Sequence, residues 1–241
     1  MDELLAEIDS LIAQLRDDPY AAATRIEKTA QTGDVDAQAL IAQMYAEGKG
    51  VVQNKELGFH WYSIAANNGH VESMNMVGRC YDLGHGVAAN DELAVVWYRR
   101  AAEHGLDWGL YNYANFLTTG RGIRQDHPLA FTLYLQAAEK GHAKSMNLVG
   151  RYLEEGLASA TDRDAAIDWY RKSAHAGDFR GQTSYAAVLA ESGRIDEAEH
   201  WLKLALKHGS PSFLAHMRNT LPQVPYSRLR ALLTEISGRT E

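Results

Sequence analysis

Residues 70–105, HVESMNMVGRCYDLGHGVAANDELAVVWYRRAAEHG, form a 36-residue unit whose landmarks recur 36 residues before and after it. Glycine keeps this period at two positions, and tyrosine, alanine and tryptophan keep it at one position each. The members are Gly33, Gly69, Gly105, Gly141 and Gly177; Gly48, Gly84, Gly120 and Gly156; Tyr62, Tyr98, Tyr134 and Tyr170; Ala66, Ala102, Ala138 and Ala174; and Trp61, Trp97 and Trp169. A fixed period of about 20–50 residues indicates a solenoid, whose units bury apolar surface only against their neighbours.

Each repeat is predicted to contain two helices, A and B, separated by a glycine turn. In the quoted unit helix A runs from about Val71 to Leu83. The turn at residues 84–87 ends it, because glycine readily adopts the left-handed backbone conformation. Asn90 is an N-cap residue for helix B, which runs to about Glu103. The predicted fold class is all-α, a right-handed α-α solenoid of antiparallel helix pairs.

Two further series predict how the helices pack. Small residues recur where helices A and B should cross, and they allow the two backbones to approach closely. They are Ala42, Gly78, Ala114, Gly150 and Ala186 in helix A, and Gly58, Ala94, Ala130 and Ala166 in helix B. Bulky residues recur at another helix A position and are expected in the core: Ile41, Val77, Tyr113 and Val149.

We expect one solenoid over residues 1–241. Its predicted parts are an N-terminal capping helix pair at 1–33, four 36-residue repeats at 34–177, a shorter fifth repeat at 178–209 and C-terminal capping helices at 210–241. The N-terminal cap rests on the helical spacing of apolar residues within 2–16, and on Asp18 followed by proline. Pro222 and Pro225 should interrupt the C-terminal helices, and the last helix is predicted at residues 226–237.

Composition and charge narrow the class of protein. The chain is 46% hydrophobic and 23% charged, as in ordinary globular proteins, and its net charge of −7 argues against sequence-independent nucleic-acid binding. Residues 1–10 do not resemble a secretory signal, and no segment is apolar over about 18 residues. Cys80 is the single cysteine, which excludes an intramolecular disulfide. We therefore expect a cytoplasmic protein without a membrane span.

One pattern in the quoted unit resembles a known family. A Tyr-x-x-Gly-x-Gly-Val turn is followed by an Ala-x-x-Trp-Tyr-x-x-Ala-Ala-x-x-Gly helix. The residues that carry it are Tyr81, Gly84, Gly86, Val87, Ala94, Trp97, Tyr98, Ala101, Ala102 and Gly105. This pattern is similar to the Sel1-like repeat, a relative of the tetratricopeptide repeat with a longer loop between its helices. The resemblance covers residues 34–177 and, in a shorter form, 178–209. It implies an adaptor or scaffold, often in bacterial signalling, secretion or envelope regulation.

Motifs for catalysis are absent from the sequence. It contains no Ser-x-x-Lys, Gly-x-Ser-x-Gly or His-Glu-x-x-His. The recurring Gly-x-Gly pairs are interpreted as turns, because no predicted strand precedes them as in a phosphate-binding loop. His60 and His85 are expected at the surface, and Cys80 in a semi-buried apolar position. We expect no enzyme activity, no catalytic residue, no cofactor and no metal.

A partner is expected on helix A, which lines the concave side in tetratricopeptide relatives. Two series of positions lie on either side of the core position, four residues apart on one helix face. They are Ala39, Asn75, Tyr111, Asn147 and Thr183, and Gln43, Arg79, Asn115, Arg151 and Ala187. Asparagine can bond a peptide backbone and arginine can pair with a carboxylate, so this stripe suits an extended peptide. The alternative is an ordinary solvated face.

Trp108 strengthens the binding hypothesis, because its equivalents in the other repeats are charged: Asp36, Glu72, Lys144 and Arg180. Trp108, Tyr111 and Asn115 share one face of helix A, and exposed aromatic residues are typical anchors of protein interfaces. The alternative is that Trp108 packs against helix B of the preceding repeat. The candidate partner-binding residues are Asn75, Arg79, Trp108, Tyr111, Asn115, Lys144, Asn147 and Arg151.

The sequence thus predicts a non-catalytic adaptor or scaffold that binds a partner protein or an extended peptide on its concave helix A face. An inhibitor, immunity protein or chaperone of a secreted effector is an alternative. A β-lactam hydrolase of the secreted, cysteine-rich branch of the family is disfavoured by the single cysteine. An RNA binder is disfavoured by the acidic charge. We expect no nucleic acid, membrane span or metal.

Overall fold

A computed structural model describes residues 18–232, and over that range the regular structure is entirely helical. The α-helices are α1 Pro19–Gln31, α2 Val35–Glu47, α3 Lys55–Asn67, α4 Val71–Leu83, α5 Asp91–Glu103, α6 Asp107–Thr119, α7 His127–Glu139, α8 Ala143–Glu155, α9 Arg163–His175, α10 Phe179–Glu191, α11 Ile195–His208, α12 Pro211–Thr220 and α13 Ser227–Ala231. A short 3₁₀-helix, Leu221–Gln223, follows α12. The predicted helix within 2–16 and the part of the predicted last helix beyond 232 lie outside the described residues.

The all-α class and its tandem helix pairs are confirmed. Helices α2, α4, α6, α8 and α10 are the A helices, and α1, α3, α5, α7, α9 and α11 are the B helices. In the quoted unit, α4 and α5 begin and end where the sequence predicts.

The chain divides into two compact units, Met1–Asp126 and His127–Glu241. The described part of the first unit contains α1 to α6, and that of the second contains α7 to α13. The prediction of one solenoid over residues 1–241, with the internal boundaries given above, stays a prediction.

Polar side chains begin the B helices of the first unit, as the sequence predicts for Asp18 and Asn90. A side-chain oxygen of Asp18, Asn54 and Asn90 each accepts a 3.0 Å hydrogen bond from the backbone N–H three residues later. Asp162 does the same in the second unit, also at 3.0 Å. Each bond satisfies a backbone N–H that the first turn of a helix leaves without an intrahelical partner.

The second glycine of each interhelix turn in the first unit lies against the start of the preceding B helix. Gly86 has φ 75°, and a Cβ added there would lie 2.0 Å from the carbonyl oxygen of Lys55, the first residue of α3. Gly50 and Gly122 approach the first residues of α1 and α5 in the same way. A side chain at these positions would overlap the backbone, so the contact requires glycine.

Small residues at the helix crossing make room for a buried tyrosine. A Cβ at Gly78 would lie 2.7 Å from Cδ1 of Tyr98, and in the second unit a Cβ at Gly150 would lie 2.7 Å from Cδ1 of Tyr170. Both rings are buried against the backbone of the paired A helix. The predicted core residues Ile41, Val77, Tyr113 and Val149 are buried as well.

A short turn and a proline-containing segment follow α10 in the second unit. Residues 192–194 join α10 to α11, which is the shortened turn that the sequence predicts. Helix α12 ends at Thr220, before Pro222. Buried apolar residues join this C-terminal segment to α10 and α11, and they include Leu189, Leu202, Met217, Leu221 and Leu229.

Candidate functional site

A hydrogen bond between side chains joins two A helices of the first unit. Nδ2 of Asn112 on α6 donates to Oδ1 of Asn75 on α4 over 2.8 Å, and both residues are half-buried. The predicted contact residue Asn75 therefore lies at the junction of two neighbouring repeats. Asn112 was not predicted. The sequence does contain a signal for this contact, because the neighbouring repeats have leucine or methionine at the same position.

Trp108 and Tyr111 form an aromatic pair at the start of α6. Trp108 exposes 43% of its surface, so burial against the preceding helix B is incomplete. The two ring centroids lie 5.9 Å apart at an interplanar angle of 87°, a favourable edge-to-face geometry. Tyr111 and Asn115 are half-buried. We call Asn75, Trp108, Tyr111 and Asn115 the α4/α6 surface.

A groove of about 450 Å³ lies between α2 and α4, and we call it the α2/α4 groove. Its lining brings the two predicted series together, with Ala39 and Gln43 from α2 and Arg79 from α4. Leu40 and Met76 add apolar surface. The groove was not predicted, because its width depends on the spacing of two helices that are far apart in sequence.

Acidic residues that line the α2/α4 groove have other partners. Nζ of Lys49 lies 2.6 Å from Oε2 of Glu47, and Nε2 of Gln43 donates to Oε1 of the same carboxylate over 2.9 Å. These two bonds, that of Lys49 first, lower the pKa of Glu47. Oε2 of Glu72 lies 3.7 Å from Nε2 of His70. Neither carboxylate is paired with Arg79.

Arg79 differs from its counterpart in the second unit. The Arg79 side chain is exposed, and within residues 18–232 its guanidinium makes no hydrogen bond or ion pair. Arg151 occupies the same repeat position, and its Nε lies 2.7 Å from Oε1 of Glu155, one helical turn later. The difference has a simple cause, because Leu83 stands where the second unit has Glu155.

The other predicted residues lie on α8 of the second unit. Asn147 is buried, and its Oδ1 accepts a 2.9 Å hydrogen bond from Oγ of Ser184 on α10. This bond repeats the contact between Asn75 and Asn112, and it leaves Asn147 little surface for a partner. Lys144 is half-buried and Arg151 is exposed.

The Cys80 thiol is buried in the first unit. Burial raises the pKa of the Cys80 thiol to about 11, which disfavours the reactive thiolate. His60 and His85 are exposed, as predicted. Between residues 18 and 232 no group of three or more His, Cys, Asp or Glu side chains is placed to hold a metal ion.

The repeated pairs match one family along most of the chain. The profile of the Sel1 repeat matches residues 35–70, 71–106, 109–142, 143–178 and 195–210. The chain belongs to the Sel1 repeat family. Sel1 repeat proteins typically mediate protein–protein interactions, and the Sel1 fold is generally a non-catalytic scaffold. No curated protein sequence matches this Sel1 repeat chain.

Solved structures with the same fold include other Sel1 repeat proteins. A Sel1 repeat protein from Oxalobacter formigenes is 25% identical with a TM-score of 0.78, over 96% of this chain and 99% of that one. The protective antigen c5321 of uropathogenic Escherichia coli is 28% identical with a TM-score of 0.73, over 91% of this chain and 49% of that one.

A more distant likeness is to the immunity protein Pa5087 of Pseudomonas aeruginosa. It is 15% identical with a TM-score of 0.54, over 85% of this chain and 83% of that one, and it shows the fold alone. In the part of this Sel1 repeat chain that the structure covers, residues 18–232, every helix is too short or too polar to cross a membrane.

Proposed function

We propose that this Sel1 repeat chain is a non-catalytic adaptor or scaffold that binds a partner protein or an extended peptide on the helix A face of its first unit. The observation that carries the proposal is the exposure of Trp108. A tryptophan with 43% of its surface exposed stands where other repeats have charged side chains. Contact with a partner would remove this apolar surface from water, which is favourable at about 25 cal/mol per Å².

The α4/α6 surface is suited to binding because its parts are held in place before a partner arrives. The hydrogen bond between Asn112 and Asn75 joins the two helices, and the edge-to-face contact restricts the rings of Trp108 and Tyr111. Side chains that are already ordered lose less conformational entropy on binding. Aromatic residues in such positions often contribute most of the affinity of an interface.

An extended segment suits the α2/α4 groove better than a folded domain does, because a groove of about 450 Å³ admits only a few side chains. The groove and the α4/α6 surface share helix α4, because Arg79 lines the groove and Asn75 belongs to the surface. We retain Lys144 and Arg151 on α8 as proposed contacts of the second unit. We assign Asn147 to helix packing instead, because it is buried and bonded to Ser184.

The proposal leaves the partner's pathway open. An inhibitor, immunity protein or chaperone of a secreted effector would use the same kind of contact and is a variant of the same function. We propose a cytoplasmic location, because a lone unpaired cysteine is typical of that compartment.

Site-specific photocrosslinking tests where a partner binds. p-Benzoylphenylalanine is placed at Tyr111 in the α4/α6 surface and, as a matched control, at Val96, an exposed position on α5. We expect the partner to crosslink from position 111 and not from position 96. Mass spectrometry of the adduct then identifies the partner and the segment in contact.

Two outcomes would contradict the proposal. One is equal crosslinking of the partner from positions 111 and 96, which would indicate contact without a preferred face. The other is unchanged crosslinking from position 111 when Trp108→Ala is added, because Trp108 is then not an anchor.

A further inference from the structure

The α2/α4 groove contains a guanidinium that forms no ion pair with the described residues. Among the residues that the structure describes, none is hydrogen-bonded or ion-paired to Arg79. The nearby acidic groups do not take this role, because Glu47 is engaged by Lys49 and Gln43, and Glu72 lies near His70. The groove thus has one guanidinium with unused hydrogen-bond donors, beside the carboxylates of Glu47 and Glu72.

The second unit shows what the same position does when it is paired internally. Arg151 has Glu155 one turn away and forms an ion pair of 2.7 Å with it. Arg79 has Leu83 at that position, so the helix itself provides no carboxylate. The two arginines thus differ in the side chain one turn later, and Arg79 has no carboxylate partner on its own helix.

We propose that the α2/α4 groove binds the carboxylate of an Asp or Glu side chain in an extended segment of the partner, with Arg79 as the recognising group. The inference rests on the proposed function, because it names the chemistry of the segment that the helix A face takes.

The geometry of the guanidinium favours a carboxylate as the ligand. A guanidinium presents two parallel N–H donors that match the two oxygens of a carboxylate, and such charge-assisted bonds are stronger than neutral ones. Leu40 and Met76 provide apolar surface in the same groove. The expected segment therefore combines an acidic residue with an apolar neighbour, and a run of acidic residues is not required.

Selection from a displayed library of short random peptides tests this chemistry. Purified wild-type protein is compared with Arg79→Gln, Arg79→Glu and the matched control Arg99→Gln, each checked for folding by circular dichroism. Arg99 is exposed on α5, outside the proposed contacts, and its Nε lies 3.6 Å from Oε1 of Glu103. We expect wild type and Arg99→Gln to select peptides with Asp or Glu at one fixed position. Arg79→Gln should lose that preference, and Arg79→Glu should replace it with Lys or Arg.

Affinity measurements on one selected peptide complete the test. We expect Arg79→Gln to bind it about tenfold more weakly, while Arg99→Gln binds it like the wild type. The same peptide with its acidic residue changed to the amide should bind wild type about tenfold more weakly and should bind Arg79→Gln no worse than the parent peptide does.

The outcomes separate this inference from the proposed function. The carboxylate subsite is overturned if the selected peptides lack a fixed acidic position, or if Arg79→Gln still selects that position. The proposed function stands in either case, provided that Trp108→Ala weakens binding of the selected peptides. A library that yields no selected peptide with wild-type protein overturns both. A reversed charge preference with Arg79→Glu supports the subsite directly, because a misfolded variant would not gain a new specificity.

Discussion

Nδ2 of Asn112 lies 2.8 Å from Oδ1 of Asn75, and this hydrogen bond connects the A helices of two adjacent repeats. In the second unit, Oγ of Ser184 makes the corresponding bond to Asn147 over 2.9 Å. Such a bond forms only where both repeats have a polar side chain at the junction. It therefore specifies which face of one helix meets the next, in addition to the apolar contacts.

The bond between Asn75 and Asn112 is expected to contribute measurably to stability. In a double-mutant cycle of Asn75→Ala and Asn112→Ala, we expect a coupling free energy of about 1 kcal/mol, because each single change leaves an amide group without its partner. Urea denaturation of the four proteins provides the measurement. Additive effects of the two substitutions would show that the bond does not stabilise the junction.

Gly78→Ala should destabilise the protein by about 2 kcal/mol, because the added Cβ would lie 2.7 Å from Cδ1 of Tyr98 and force the ring to move. Helix propensity alone predicts the opposite sign, since alanine stabilises a helix interior by about 1 kcal/mol relative to glycine. The midpoint of chemical denaturation shows whether Gly78→Ala destabilises or stabilises the protein. A more stable Gly78→Ala protein would mean that Tyr98 can shift without loss.

Trp108→Ala should weaken partner binding and lower the free energy of unfolding by less than about 1 kcal/mol. Trp97→Ala is the contrasting variant, because the Trp97 ring is partly buried in the core cluster and Arg100 lies 4.4 Å above it. We expect that change to destabilise by about 3 kcal/mol. If the two variants unfold at the same denaturant concentration, Trp108 is a packing residue and its proposed role is wrong.

Cys80 makes stability depend on pH in the alkaline range. Burial raises its pKa from 9.0 to about 11, so the folded state holds the thiol proton over a range in which the unfolded state releases it. The stabilisation is complete below pH 9 and is lost as the pH rises toward 11, since linkage then favours the unfolded chain. Between pH 8 and pH 10 the wild type should lose about 1 kcal/mol more than Cys80→Ala.

Equilibrium denaturation of wild type and Cys80→Ala at each pH checks this expectation. Burial raises the pKa of Tyr62 and Tyr98 well above this pH range, so both keep their protons in the folded state of either protein and their effect cancels. Parallel pH profiles would show that the thiol reaches solvent in the folded protein. Iodoacetamide labelling provides a second readout and should be slow at pH 8 until urea unfolds the chain.

Much of the fold was predictable because each position of the repeat occurs several times in the sequence, and the copies can be compared. Comparing copies separated the core residue Val77 from the flanking polar positions and placed the bounds of α4 and α5. The exposure of Trp108 followed from the charged residues at its equivalent positions. These features depend on local sequence and period alone.

The remaining features depend on how one helix meets another. The 37-residue separation of Asn75 and Asn112 is not the repeat period, so aligning the copies does not pair these two residues. Asn147 was predicted as a contact, but its burial depends on packing against α10. The sequence shows that Arg79 has Leu83, and Arg151 has Glu155, one turn later. That Arg79 lines a groove between α2 and α4 is visible only in the structure.

The glycine contacts at the interhelix turns also bear on how such a chain can change in length. Gly50, Gly86 and Gly122 each contact the first residue of the preceding B helix. We call this contact between a glycine and a helix start the joint, and it recurs in each repeat of the first unit. Loss or duplication of a whole 36-residue module would regenerate that joint with a compatible residue on each side. An insertion of any other size between two joints would separate the glycine from the backbone that it must touch. The first unit can therefore lengthen or shorten by complete modules without loss of the joint, whereas a change of another length between two joints is disfavoured.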